Sequence, residues 1–187
     1  MQFMKFSLLI ILLCLTMNLF GQDTKVIKPK IEIYLLNNAS NPNQYQPKNK
    51  YFLPTTEQLS ENAFIRDDEI CGYKIYQDTS KQKRGKLYSF ILSKSAQQKI
   101  NALKNIPLCC GKKFAVVLNG KPVFGAYFWN LISSFGCNWL TALAYCNGEL
   151  ELINRLPESN FDETKQDPRN DKALIEAFKS TGRLKEK

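Results

Sequence analysis

Apolar and polar residues alternate with a period of two in several parts of the chain, and this alternation predicts β-strands with one buried face. The first such stretch is 31–35, where aliphatic residues alternate with Glu32 and Tyr34. Two more stretches, 69–77 and 86–92, lie on either side of a basic connection. We expect these two stretches to pair as a hairpin.

The densest strand pattern covers residues 112–129 and contains a turn signal. One apolar run leads into Asn119-Gly120, and a second apolar run follows it. Asn and Gly tolerate the positive φ angles that a type I′ turn requires, so this stretch predicts a tight hairpin. A second Asn-Gly pair predicts another hairpin, between strands 138–146 and 149–156.

Capping residues followed by apolar residues at helical spacing predict helices near the middle of the chain. The pairs with capping-box spacing are Thr55 with Gln58 and Ser95 with Gln98. The first pair predicts a short helix with Leu59 and Ala63 on its inner side. The second pair predicts a longer helix that Pro107 ends.

A C-terminal helix is predicted over residues 171–180. Gly182 occupies the position of a left-handed cap. The apolar stripe of this helix consists of Ala173, Leu174, Ala177 and Phe178. The order of all these elements predicts an α+β domain, in which a mainly antiparallel sheet of about six strands, built from several hairpins, packs with two or three helices.

Residues 1–21 have the pattern of a cleavable signal peptide. Lys5 supplies a positive charge, and an apolar run from Phe6 to Met17 follows it. This run is shorter than the roughly 20 apolar residues that a membrane-spanning helix needs. We therefore expect cleavage near Gly21 and a mature chain with no stable membrane span. The alternative is a retained N-terminal helix that anchors the protein at the membrane.

The remaining residues, 22–187, are expected to form a single α+β domain outside the cytoplasm, either in the periplasm or secreted. Their number is enough for one hydrophobic core. A flexible polar start at 22–30 precedes the first strand. A polar linker and the C-terminal helix make up residues 157–187.

The chain is strongly basic, with 26 Lys and Arg residues against 17 Asp and Glu residues and a net charge of +9. A basic surface favours anionic partners. Because an exported protein does not normally meet nucleic acid, the predicted partner is an envelope protein or an anionic polymer. The basic clusters at 81–84 and 183–187 are more simply explained as solvated loop and tail charge.

The chain contains no histidine, and this removes many classes of enzyme. Catalytic triads, zinc sites built on His and His-based proton switches all need one. Gly-rich phosphate loops and dinucleotide-binding motifs are also missing from the sequence. The sequence therefore predicts a non-enzymatic protein that uses no metal and no cofactor.

Export would place the cysteines in a compartment where disulfides form. The candidates in the mature chain are Cys71, Cys109, Cys110, Cys137 and Cys146. Their number is odd, so at least one has no partner within the chain, and the spacing leaves the connectivity open. We expect the disulfides to stabilise the fold. The alternative is that Cys109 and Cys110 form a redox-active or soft-metal pair.

The stretch 123–129 is apolar on both faces, which is typical of a strand in the middle of a covered sheet. The alternative is an exposed strand face that presents aromatic side chains to a partner, since aromatic residues dominate binding hot spots. The adjoining loop, 130–136, mixes small polar and large apolar residues. The candidate binding residues are therefore Tyr127, Trp129, Ser133 and Ser134.

Several motifs resemble a group of small exported bacterial proteins of unassigned function. The motifs are Cys110–Gly120 (CGKKFAVVLNG), Gly125–Trp129 (GAYFW), Ser133-Ser134, Asp167–Asp171 (DPRND) and Gly182–Leu184 (GRL). The resemblance implies a location in the envelope or outside the cell. It assigns no catalytic residue.

Together these expectations describe an exported, disulfide-stabilised, non-enzymatic binding domain of the bacterial envelope. One alternative is a thiol-redox or soft-metal protein that uses Cys109 and Cys110. A second alternative is a periplasmic inhibitor or immunity-type protein that blocks an enzyme or a toxin. Its contact surface would then be the aromatic strand and the loop that follows.

Overall fold

Two four-stranded sheets and two α-helices make up an α+β fold in the computed structural model, which describes residues 28–37, 52–77, 85–108, 111–134, 136, 139–154 and 167–186. The strands are β1 (Ile31–Leu35), β2 (Ile70–Gln77), β3 (Lys86–Leu92), β4 (Lys112–Leu118), β5 (Lys121–Trp129), β6 (Thr141–Leu143), β7 (Glu149–Leu152) and β8 (Leu184–Glu186). The helices are α1 (Lys94–Asn101) and α2 (Lys172–Ser180). Short 3-10 turns occur at Thr56–Gln58, Asp67–Glu69 and Pro168–Asn170.

The strand order is β1-β4-β5-β6 in the first sheet and β7-β3-β2-β8 in the second. Most pairs are antiparallel, but the β5–β6 and β2–β8 pairs are parallel. The predicted α+β class is confirmed, whereas the single sheet of about six strands is wrong. Alternation along a strand shows that one face is buried, but it does not show which sheet the strand joins.

One hydrophobic core is shared by both sheets and both helices. The first sheet contributes side chains such as Ile33, Phe114 and Phe128, all fully buried. The ring of Phe178 on α2 stacks on Tyr73 of β2, with 5.1 Å between the ring centroids. The helices are therefore anchored by the same core that holds the two sheets together.

Two predicted hairpins are present. β4 and β5 pair across Asn119 and Gly120, whose φ angles of 51° and 78° are those of a type I′ turn. β2 and β3 also pair antiparallel. Of the third predicted hairpin, the described residues show one antiparallel bridge, between Thr141 of β6 and Ile153 just after β7, because β7 itself pairs with β3. The chain thus passes from one sheet to the other between β6 and β7.

Helix α1 begins two residues earlier than the sequence predicts. Ser93, not Ser95, is the N-cap, and its hydroxyl accepts the N–H of Ala96 at 3.2 Å. The helix ends at Asn101, well before Pro107. The predicted short helix after Thr55 is a 3-10 turn, in which the Thr55 N–H donates to the Gln58 side chain.

Helix α2 has the predicted ends. Asp171 caps its N-terminus, and Gly182 has a φ of +68° after its last turn. The N–H of Arg183 then donates to the carbonyl of Phe178 at 2.8 Å, which is the bond of a Schellman motif. Of the predicted apolar stripe, Ala173 is exposed and the other three residues are buried.

Neither α1 nor α2 has the length or the apolar composition to span a bilayer, and no other helix in the described part of the chain has either. The predicted leader, 1–21, lies outside the described residues, as do 22–27 of the predicted flexible start. The same holds for most of the polar linker predicted before the C-terminal helix. For these residues the interpretation of the sequence stays a prediction.

Candidate functional site

The two aromatic candidates, Tyr127 and Trp129, are buried, with exposed fractions of 5% and 2%. β5 lies between β4 and β6, so the prediction of a covered central strand is confirmed. Trp139 packs on both rings, with centroid distances of 5.3 Å and 5.9 Å. Neither ring faces solvent, so the alternative of an exposed strand face is wrong. A role for either ring in binding stays a prediction.

Phe52 packs on β5 at Gly125. Phe52 forms a β-bridge with Gly125, whose N–H donates to the Phe52 carbonyl at 2.9 Å. The Phe52 ring also packs edge-on against Tyr127, with 5.4 Å between centroids. Phe52, Tyr127, Trp129, Trp139 and Leu143 therefore form a second, smaller apolar cluster. This cluster supports the start of the loop after β5.

The loop that contains Ser133 and Ser134 is held against the segment that follows α1. The Ser133 hydroxyl donates to the carbonyl of Leu108, and the Asn130 side chain donates to the carbonyl of Ile106 at 3.4 Å. Asn130 also accepts the N–H of Ile132 at 3.1 Å. The structure therefore gives Ser133 a role in joining two loops, while Ser134 is exposed.

These two loops carry a concentration of exposed aliphatic side chains. The large apolar residues exposed within the described part of the chain are Leu53, Leu108, Leu131, Ile132 and Tyr145. Three of them, Leu108, Leu131 and Ile132, lie on the joined loops, and Ile132 is 81% exposed. We call these three residues the apolar loop patch. Clustered exposed apolar side chains mark interaction surfaces more often than isolated ones do.

A buried carboxylate, Glu69, lies next to a serine and a lysine on α1. Ser95 donates its hydroxyl to one carboxylate oxygen, and Lys99 Nζ lies 2.6 Å from the other. Burial raises the pKa of Glu69, but the hydrogen bonds from Lys99, Ser95 and the Arg66 N–H outweigh it and lower the pKa to about 2. In the sequence, Ser95 and Lys99 are four residues apart, a spacing that places two side chains on one helix face.

This serine–lysine pair does not have the arrangement that serine activation needs. A lysine that accepts a proton from serine has to be a neutral amine. Lys99 instead forms a salt bridge with Glu69, with 2.6 Å between Nζ and Oε2. Ser95 also points its hydroxyl at Glu69 rather than at Lys99. The geometry fits a structural bridge between the start of β2 and α1.

The two described cysteines differ in their exposure to solvent. Cys71 is exposed on β2, at an irregularity in its pairing with β3. Cys146 is 2% exposed, and burial raises the pKa of its thiol. These two cysteines do not form a disulfide with each other. Cys109, Cys110 and Cys137 lie outside the described residues, so disulfide stabilisation stays a prediction.

Comparison with known proteins adds no family to this geometry. No protein-family model matches the chain, and no curated protein matches it either. The resemblance noted in the hairpin and tail motifs stays a prediction. What the chain does is therefore inferred from its own surfaces and charges.

Proposed function

We propose that residues 22–187 are an exported, non-enzymatic domain that binds an envelope protein through the apolar loop patch. The observation that carries this proposal is the exposure of Leu108, Leu131 and Ile132 on two loops that hydrogen bonds hold together. Burial of such aliphatic side chains contributes roughly 1.5 to 3 kcal/mol each when they leave water completely. A protein surface with an apolar pocket provides that burial.

The loops support this function because they are held in place before binding. The side chains of Asn130 and Ser133 hold the loop after β5 by donating to the carbonyls of Ile106 and Leu108. Trp129, one residue before the loop, is anchored by Trp139. A surface that is already ordered loses less conformational entropy on binding than a mobile one does.

The patch favours a protein partner over an anionic polymer. Its three side chains are aliphatic, and an anionic polymer offers charged and hydroxyl groups rather than an apolar surface. The positive charge of the chain would then act at longer range, by raising the rate of encounter with an acidic partner. The absence of histidine and the pairing of Lys99 with Glu69 support a non-enzymatic role.

Capture of a partner from envelope extract tests the proposal. We expect Leu131→Asp and Ile132→Asp to weaken capture at least about 30-fold, the effect of losing one hot-spot side chain. Tyr145→Asp is the matched control, because Tyr145 is 56% exposed but lies outside the patch. Circular dichroism and thermal melting of each variant establish that the fold is intact.

The variants also separate the patch from the buried rings. Trp129→Ala is expected to lower the melting temperature, because Trp129 is 2% exposed and packs on Trp139. Capture by the patch variants that equals that of the unmodified protein would refute the proposal. A loss of capture in Tyr145→Asp as large as in Ile132→Asp would refute it as well.

A further inference from the structure

Acidic and basic residues are distributed unevenly along the chain. Residues 79–148 contain ten Lys and Arg residues and no Asp or Glu, so all 17 acidic residues lie in 1–78 or 149–187. The acid-free segment includes β3, α1, β4, β5 and β6, together with the three residues of the apolar loop patch. The patch is thus carried by a part of the chain that supplies positive charge only.

Lys104 is exposed on the loop that follows α1, the first of the two joined loops. Two residues further on, the carbonyl of Ile106 accepts the Asn130 side chain at 3.4 Å. The carbonyl of Leu108, a patch residue, accepts the Ser133 hydroxyl. The four residues from Lys104 to Leu108 span at most about 14 Å when extended. Lys104 therefore lies beside the patch.

Lys112, the first residue of β4, lies at the base of both loops. It is opposite Phe128 in the ladder between β4 and β5, one residue before the last residue of β5. Gly111 packs so closely on β5 that an added Cβ would lie 2.7 Å from the Phe128 carbonyl oxygen. The Gly111 N–H also donates to the carbonyl of Pro107 at 3.1 Å, which connects the start of β4 to the first loop.

Neither lysine is paired with a carboxylate of its own chain. No salt bridge among the described residues includes Lys104 or Lys112. Glu69, for example, pairs with Lys99 instead. The two ammonium groups can therefore pair with carboxylates of another molecule.

Lysines beside exposed aliphatic side chains also occur on surfaces that bind anionic lipid. Such surfaces carry clusters of about four to eight Lys or Arg residues and place Trp and Tyr rings at the level of the headgroups. Here two described lysines flank the patch, and the rings of Tyr127, Trp129 and Trp139 below it are buried. These features favour a protein partner over a lipid surface.

We propose that the partner of the apolar loop patch is an acidic protein, whose carboxylates pair with Lys104 and Lys112 around a pocket that takes Leu131 and Ile132. This inference rests on the proposed function and adds the chemistry of the partner. Charge pairs at the rim of an interface select the partner and raise the rate of association. The two lysines thus give an otherwise unspecific apolar patch its preference for an acidic protein.

Capture of protein from envelope extract by lysine variants of the mature protein tests the proposal. We expect Lys104→Glu/Lys112→Glu to lower capture at least about tenfold, because two attractive contacts become repulsive. Lys104→Arg/Lys112→Arg keeps both charges and should retain capture. Thermal melting establishes that each variant is folded.

Lys94→Glu/Lys121→Glu is the matched control, because it makes the same change of net charge at two exposed lysines of the acid-free segment. Lys94 begins α1, and Lys121 lies at the opposite end of β5 from Trp129. We expect capture by this variant to stay within about threefold of that by the unmodified protein, since only long-range attraction changes. A loss as large as that in Lys104→Glu/Lys112→Glu would overturn the local contact.

Treatment of the extract tests the chemistry of the partner. Conversion of its carboxylates to amides with carbodiimide and glycinamide should abolish capture, and so should digestion with a protease. Capture that survives either treatment would overturn the proposal. Binding to vesicles of phosphatidylglycerol and phosphatidylethanolamine that is lost in Ile132→Asp would overturn it in favour of a lipid surface.

The variants distinguish failure of this inference from failure of the proposed function. Capture that falls in Leu131→Asp and Ile132→Asp but not in Lys104→Glu/Lys112→Glu would overturn this inference alone. Capture that none of the patch variants changes would refute the proposed function, and this inference with it.

Discussion

Lys99 of α1 places its Nζ 2.6 Å from Oε2 of Glu69, a carboxylate that is only 3% exposed. The same carboxylate accepts the Ser95 hydroxyl and, at 3.0 Å, the N–H of Arg66. The Glu69 carbonyl also accepts the N–H of Ser93, the cap of α1, at 2.9 Å. The side chain and the carbonyl of Glu69 therefore join α1 to the residues that lead into β2.

The lowered pKa of Glu69 makes the free energy of unfolding depend on pH. The pKa of Glu69 is about 2 in the folded protein and near its ordinary 4.5 in the unfolded chain. The group therefore contributes its full stability above pH 4.5 and loses it as the pH falls toward 2. The difference corresponds to about 3 kcal/mol.

A Glu69→Gln variant should be less stable at neutral pH and should lose less stability between pH 4.5 and pH 2 than the unmodified protein. Urea unfolding followed at several pH values measures this. The matched control is Asp68→Asn, because the Asp68 side chain is exposed and pairs with Arg66 at the surface. An identical pH dependence for Glu69→Gln and the unmodified protein would contradict the assignment.

The contact between Gly125 and Phe52 leaves no room for a side chain at position 125. A Cβ added there would lie 2.3 Å from the Phe52 ring. We expect Gly125→Ala to lower the free energy of unfolding by about 1 to 3 kcal/mol, the cost of forcing extra volume into a packed site. In a Phe52→Ala background the same change should cost much less. Additive effects of the two changes in denaturant unfolding would show that the ring is not the obstacle.

Short-range signals account for the parts of the fold that the sequence predicts. The hairpin at Asn119 needs only two residues with positive φ between two apolar runs, and both conditions are visible in the sequence. The sequence does not predict β8, because three residues are too few to show alternation and because β8 pairs with a strand more than a hundred residues earlier. The assignment of β7 to the second sheet depends equally on long-range pairing.

In the candidate site, too, short-range features can be predicted from the sequence and long-range contacts cannot. The composition of the loop after β5 predicts a binding region, and Leu131 and Ile132 are exposed there. The contribution of Leu108 could not be foreseen, because a loop-to-loop hydrogen bond brings it beside Ser133 from a distant part of the sequence. The burial of Trp129 agrees with the apolar pattern of 123–129, but the neighbouring strand β6 is too short to recognise by its pattern.

Arg169 is a buried cation that links the C-terminal region to the second sheet. It is 3% exposed, pairs with Asp167 at 2.8 Å and donates to the carbonyl of Leu152 at 2.7 Å. Arg169→Met should lower the free energy of unfolding by about 3 to 5 kcal/mol, because it leaves the Asp167 carboxylate without its cation. Adding Asp167→Asn should recover part of that loss. A double variant no more stable than Arg169→Met in urea unfolding would contradict this account.

The exposure of the two described thiols predicts which one reacts in the folded protein. Cys71 is exposed, whereas Cys146 is 2% exposed and its pKa is raised by burial. Because the thiolate is the reactive form, iodoacetamide at pH 8 should modify Cys71 in native protein and reach Cys146 only after unfolding. Mass spectrometry of peptides from both reactions measures this. Modification of Cys146 at the same rate as Cys71 in native protein would contradict the burial, and a Cys146 that reacts in unfolded chain only after reduction would prove a disulfide to another cysteine.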